Sequence, residues 1–193
     1  MHEDKFSKWL RWGDRISASC IRYPGIYILA ISEHDIANDD FSWIPQIAYI
    51  GMTNSIAGLK GRLNQFDNTV RGKRGHGGAD RFRYKHQDYD GLVQNLFVSV
   101  SPIKCDVKSN NPDDLESMGR VAKFEYDCFA EFVRNFDELP EFNNKKKSPK
   151  YSLTFGKKEK LWHGDGYLLK DEPTMLNYVC QSIVFLLQLI AMV

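Results

Sequence analysis

Three short apolar runs punctuate a largely polar chain. "GIYILAI" (25–31), "IAYIGM" (47–52) and "QNLFVSV" (94–100) have the length, β-branched and aromatic content and flanking turn residues of strands. In the first run, Ile26, Ile28 and Ala30 share one face and Tyr27 and Leu29 the other. In the second, Tyr49 shares its face with Ile47 and Gly51. The segment between them carries Asp39, Asp40 and Pro45 and reads as a long hairpin-like connection. An antiparallel pairing of the two runs brings Tyr27 and Tyr49 onto one surface.

The helical signals are of different strength. Residues 3–12 predict a short helix with Phe6, Trp9 and Leu10 on one face. Residues 56–70 predict a second, with Leu59, Leu63 and Phe66 at helical spacing and Arg62 beside that stripe. Asn111-Pro112-Asp113-Asp114 is a strong helix start: a capping Asn, Pro at the first helical position and acids in the first turn. The helix it opens should run to about Phe136, before Pro140. Its apolar stripe is Met118, Val121, Ala122, Cys128, Phe129, Phe132, Val133 and Phe136, and the gap in that stripe is Glu125. A carboxylate aimed at a core needs a cation, an arginine or a metal. A buried salt bridge satisfies that need as well as a reactive site does. Glu131 falls on the other side, near Asp127, Arg134 and Asn135, where a charge stays solvated.

Charge changes the picture through its distribution. The net charge is only +1 over 193 residues, 42% of them apolar and 26% charged, the balance of a soluble globular protein. From Lys60 to Lys85, however, there are eight Lys or Arg against Asp67 and Asp80, and "NNKKKSPK" (143–150) forms a second basic run. Such clusters neutralise phosphates, or they are solvated loops. Cys20, Cys105, Cys128 and Cys180 have neither disulfide-framework nor zinc spacing. The charged N-terminus has no secretory pattern, so a cytoplasmic location is expected. Residues 175–193 carry no charge. Asn177, Gln181, Ser182 and Gln188 interrupt them, which favours a buried terminal helix or an oligomer contact over a membrane span.

Taken together, "GIY" 25–27, "YIG" 49–51, the arginine of "LKGRL" 59–63, "GHGG" 75–78, the glutamate of "FEYDCFAEF" 124–132 and "LPEFN" 139–143 resemble the GIY-YIG nuclease superfamily over roughly residues 23–143. Two spacings depart from the commonest family pattern. The loop between YIG and Arg62 is longer, and counting back from Asn143 selects Glu131. The helix phase selects Glu125, because Val121, Cys128 and Phe129 supply apolar neighbours at the right offsets.

The resemblance implies an α+β fold of sandwich type, a small central three-stranded antiparallel sheet flanked by helices. Residues 1–22 would be a helical extension, 23–150 the nuclease domain and 151–193 a further extension. It implies a metal-dependent DNA endonuclease, of restriction type given the compact chain. A catalytically inactive DNA-binding or assembly module and a repair or junction-type nuclease are the alternatives. The implied roles are Tyr27 as general base, Tyr49 and Arg62 on water and phosphate, and His76 in proton transfer or phosphate binding. Glu125 would hold Mg²⁺ or Mn²⁺, and Asn143 would order the site. Lys60, Arg71, Lys73, Arg74, Arg81 and Arg83 are the expected DNA contacts. DNA is the implied partner; a homodimer stays open, and no membrane is expected.

Overall fold

The three apolar runs become the three long strands of one sheet. The computed structural model describes residues 5–151. In it β1 (Leu10–Arg11), β2 (Gly25–Ile31), β3 (Ile47–Thr53) and β4 (Leu96–Pro102) form an antiparallel sheet of order β1-β4-β2-β3. Four helices accompany it: α1 (Gly58–Val70), α2 (Ala79–Lys85), α3 (Tyr89–Gln94) and α4 (Pro112–Phe136). The protein is therefore a mixed α+β fold. The short fourth strand at the edge is additional to the three that the sequence predicts.

β2 sits between β3 and β4, which is why it reads as an unbroken apolar run: every residue from Gly25 to Ala30 is buried. Its alternation feeds two cores. Tyr27 and Leu29 pack with Leu59, Leu63 and Phe66 of α1 and Phe82 of α2. Ile26, Ile28 and Ala30 pack with Val121, Cys128 and Phe132 of α4. Burying each such side chain contributes roughly 1.5–3 kcal/mol.

Two expectations are corrected. Ile47 does not share the face of Tyr49. The register runs Leu29↔Tyr49 and then Ala30↔Ile47, so a bulge at Ala48 turns Ile47 toward the α4 side. The helix expected over residues 3–12 is not formed in its described part. Ser7 N–H instead donates to the Val100 carbonyl (2.8 Å), and Leu10 and Arg11 pair with Val98 and Phe97. This extended path covers the edge of β4. It also sends Trp9 into the α4-side core and Trp12 into the other, which a single helical face could not do.

The start of α4 is as predicted: the Asn111 side chain accepts from Asp113 N–H (3.2 Å) and Pro112 holds the first turn. The basic segment expected as a loop contains α2, and α3 was not predicted. Among the described residues no helix is long and apolar enough to cross a membrane. The apolar run 175–193 lies outside the described residues.

Asp67 on α1 joins three parts of this fold. It accepts from Trp12 Nε1 (2.8 Å), Tyr89 Oη (2.6 Å) and Arg71 Nε (3.0 Å), and Arg15 lies 3.3 Å away. Burial pushes its carboxyl up, but these donors outweigh burial and hold it below the ordinary value. A lowered carboxyl adds stability that is complete above the unfolded value of about 3.9 and is lost as pH falls through the folded value. Asp67→Asn should therefore cost of order 2–3 kcal/mol near neutral pH, less than a wholly dry pair because Arg71 is half in solvent. In thermal unfolding followed against pH, its deficit relative to the parent protein should shrink in acid. A deficit independent of pH would show that lost packing, not charge, is responsible.

Candidate active site

The two strand tyrosines meet over a glycine. Tyr27 pairs with Gly51 across the β2–β3 ladder, and Tyr49 lies diagonally beside it with ring centroids 5.9 Å apart. A Cβ on Gly51 would come 2.5 Å from Tyr27 Oη and 2.7 Å from the Tyr49 ring. A Cβ on Gly78 would come 2.6 Å from the other edge of the Tyr49 ring. Both glycines are required by close approach of the aromatic rings rather than by a turn. Tyr27 ends with no exposed surface, whereas Tyr49 is half-buried. The sequence places both on one surface; the structure places Tyr27 beneath it and Tyr49 at its rim.

A buried phenol needs a partner, and His76 supplies it: Tyr27 Oη and His76 Nε2 are 2.7 Å apart. The other ring nitrogen, Nδ1, accepts from the amides of Gly78 and Ala79, both at 3.1 Å. Two donors at Nδ1 leave no proton there. The ring is therefore neutral with its proton on Nε2, and His76 donates to Tyr27. Burial first, then the Arg62 charge, depresses its pKa to about 3. Both nitrogens are engaged and 2% of the His76 surface is exposed.

Arg62 is the charge around which the rest gathers. One of its terminal nitrogens donates to Gln65 Oε1 (2.8 Å), and Gln65 Nε2 donates to the Gly75 carbonyl (3.0 Å). Gln65 thus ties the arginine to the glycine loop. It was missed in the sequence, although its place three residues after Arg62 on a helix is a readable signal. The Arg62 side chain also acts on Tyr27, holding its phenol down against burial. Its charge acts on Tyr49, His76 and Glu125. Its Nε is buried with no partner among the described residues. Burial raises the Tyr27 phenol well above its ordinary value and raises Tyr49 less, with Arg62 opposing both.

Glu125 reaches this cluster from the opposite side of the sheet by way of the β3 edge. Asn143 clamps that edge, accepting from Ile50 N–H and donating to Ile50 C=O, each at 2.8 Å. Two residues on, the Met52 backbone holds the Glu125 carboxyl down against burial. Burial raises the Glu125 carboxyl, and Arg62 opposes that rise. Glu131 is elsewhere, paired with Arg134 (2.7 Å) and Asn135 along α4. Among the described residues no group of three or more His, Cys, Asp or Glu side chains that could hold a metal ion comes together.

The six expected DNA contacts separate. Lys60, Lys73 and Arg74 are exposed. Arg83 donates to the Gly72 carbonyl (3.3 Å) and covers the Tyr151 ring. Arg71 belongs to the Asp67 cluster. Arg81 is 8% exposed, donates to the Ser148 carbonyl, and its charge acts on Tyr49.

No protein-family model, curated protein or solved structure matches this chain.

The His76 geometry has a direct spectroscopic consequence. Imidazole ¹⁵N shifts should report the Nε2–H tautomer at neutral pH, with no titration until the solution is near pH 3. Because the unfolded chain takes up this proton near 6.5 and the folded chain does not, His76 should cost stability progressively as pH falls below 6.5. Titration of His76 near 6.5 in the folded protein would overturn the assignment.

Proposed function

We propose that the protein is a metal-dependent DNA endonuclease of restriction type, hydrolysing phosphodiester bonds at the cluster of Tyr27, Tyr49, Arg62, His76 and Glu125. One observation carries this. Side chains from two strands, two helices and a glycine loop, far apart in sequence, converge on a single half-buried guanidinium whose Nε has no partner. A buried, preorganised arginine with a donor to spare suits a phosphate and the charge that grows on it.

The exposures divide the roles. Tyr49 is the phenol a substrate reaches, so it takes the proton of the attacking water in place of Tyr27. Behind it, Tyr27 donates its hydroxyl proton to Tyr49 and receives the His76 Nε2–H. That chain of donors, with Arg62, stabilises negative charge at Tyr49. Water attacks phosphorus, the bond to the 3′ oxygen breaks, and the water proton passes to the phenolate oxygen; the 3′ oxygen takes a proton from solvent. Glu125 fits a hard divalent ion such as Mg²⁺ or Mn²⁺: a single oxygen donor at the cleft, with waters and substrate oxygens completing the shell. When bound, the ion supplies Lewis-acid stabilisation of charge on the leaving oxygen.

Plasmid DNA incubated with Mg²⁺ or Mn²⁺ should be nicked or cut. Glu125→Ala should abolish cleavage and leave DNA binding largely intact, while Glu131→Ala stays active. Cleavage of normal rate by Glu125→Ala, or no cleavage by the parent protein with either ion, would count against the nuclease. Both phenols lie above 10 in the free protein, so only a small fraction is ionised at neutral pH. The rate should rise about tenfold per pH unit from pH 7 to 9 as that fraction grows. Tyr49→Phe should lose on the order of 10² to 10⁴ in rate and flatten this profile. Tyr27→Phe, which removes the relay but not the base, should lose less and keep the slope.

A further inference from the structure

Two side chains of α1, one turn apart, grip a single peptide of the glycine loop. Gln65 Nε2 donates to the Gly75 carbonyl (3.0 Å), and Thr69 Oγ1 accepts from the His76 N–H (3.1 Å). That carbonyl and that N–H are the two poles of one planar peptide group, so the group cannot turn without breaking one bond or the other. Thr69 is buried and gives its own hydroxyl proton to the Gln65 carbonyl (2.9 Å), which leaves its lone pairs for His76. Gly75 is the residue this grip requires. Its φ of +144° is one that side chains rarely adopt, and a Cβ there would stand 3.1 Å from Gln65 Nε2.

The Gln65 amide has a second end. Its Oε1 accepts from a terminal nitrogen of Arg62 (2.8 Å). One planar side-chain amide therefore sets the spacing between the guanidinium and the Gly75–His76 peptide. His76 passes its position on to Tyr27 through the 2.7 Å contact, while the amides of Gly78 and Ala79 hold the far side of its ring. The half of the site that suits a phosphate and the half that handles the proton thus meet at Gln65, which belongs to neither.

We propose that Gln65 is a positioning residue of the site, holding Arg62 in register with the His76–Tyr27 relay, with Thr69 as the second pin of the same peptide. The proposal rests on the nuclease function and extends it from the groups that meet the phosphate to those that space them. The two ends of Gln65 are chemically distinct: the oxygen serves Arg62 and the nitrogen serves the loop. Gln65→Glu keeps the arginine contact and loses the loop contact, because a carboxylate beside Arg62 stays ionised and has no proton for a carbonyl. Gln65→Met fills a similar volume and loses both.

The test uses the full-length protein, with DNA cleavage in Mg²⁺ as one readout and amide hydrogen exchange of the free protein as the other. Gln65→Met should lower kcat on the order of 10²-fold, the cost of a small misplacement, and leave KM within a few-fold. Gln65→Glu should lose kcat likewise and also raise KM, since its carboxylate competes with the phosphate for Arg62. Thr69→Val, which removes only the second pin, should lose less, and Thr69→Ser should recover the loss. Because both pins hold one peptide, the double variant Gln65→Met/Thr69→Val should be little worse than Gln65→Met alone. Gln65 does not touch the His76 N–H, so exchange of that amide on the order of tenfold faster in Gln65→Met reports the peptide turning. Parent-like exchange at Ile28, on the central strand, establishes that each variant is folded. If the parent protein cleaves DNA and Gln65→Met keeps its kcat, or loses kcat with no change in His76 exchange, the proposal falls and the nuclease function stands. If the parent protein cuts no DNA, both fall.

Discussion

The hydrogen bond between Tyr27 and His76 sets the terms for everything around it. Tyr27 lies on the central strand, has no exposed surface and carries a hydroxyl that would cost several kcal/mol if left unpaired. His76 removes that cost at 2.7 Å, but only by being buried itself, and its second nitrogen then needs donors. Those donors are the first amides of α2, so the glycine loop must turn into a helix immediately after His76. The Tyr27 ring, for its part, lies where a Cβ on residue 51 would stand, and the Tyr49 ring is held between residues 51 and 78, which are both glycine. One buried polar contact thus dictates a strand residue, a loop composition and a helix start.

Electrostatics follow from the same burial. Around Arg62 the cluster holds one carboxylate, two phenols and a neutral imidazole, with Arg81 acting on Tyr49 and Lys150 on His76. Removal from water pushes the phenols and the carboxyl toward their protonated forms and the imidazole toward its neutral form. Arg62 opposes the shift of the acids and reinforces that of His76. The acids of the cluster are therefore held toward their neutral forms while cations stand around them, and negative charge there is drawn out by what enters. A phosphate and a divalent ion are the kind of pair that does so. This dependence on incoming charge is why the rate is expected to follow hydroxide while binding follows salt.

The framework of the site was legible in the sequence where local rules decide it. The strand ends at Gly25 and near Thr53, the span of α1 and the capped start of α4 all emerged from periodicity and turn chemistry. So did the helix phase that separates the two glutamates: Glu125 interrupts an apolar stripe and comes under the influence of Arg62, whereas Glu131 pairs along its own helix. What local rules cannot show is register and depth. The bulge at Ala48 depends on how β3 meets β2, and it moved Ile47 to the other face. The depth of Tyr27 relative to Tyr49 depends on what covers the sheet, and it buried the first while leaving the second at the rim. The N-terminal segment has a passable helical stripe, yet the unpaired edge of β4 and two separate cores claimed its tryptophans.

The edge of β3 explains how helices on opposite faces of a sheet can serve one site. A sheet normally isolates what packs on its two sides. Here β3 is the last strand, and its outward amides are open to side chains from beyond the sheet. Asn143 takes the N–H and C=O of Ile50 as a further strand would, which stops another chain from adding there. Glu125, on the helix of the opposite face, lies by the Met52 backbone two residues on, within the influence of Arg62 and Tyr49. The edge that Asn143 protects is thus also the one beside which the carboxylate comes under the influence of the arginine. Loss of the Asn143 clamp would loosen β3 and Glu125 together, so a residue that reacts with nothing holds the two halves of the site in register.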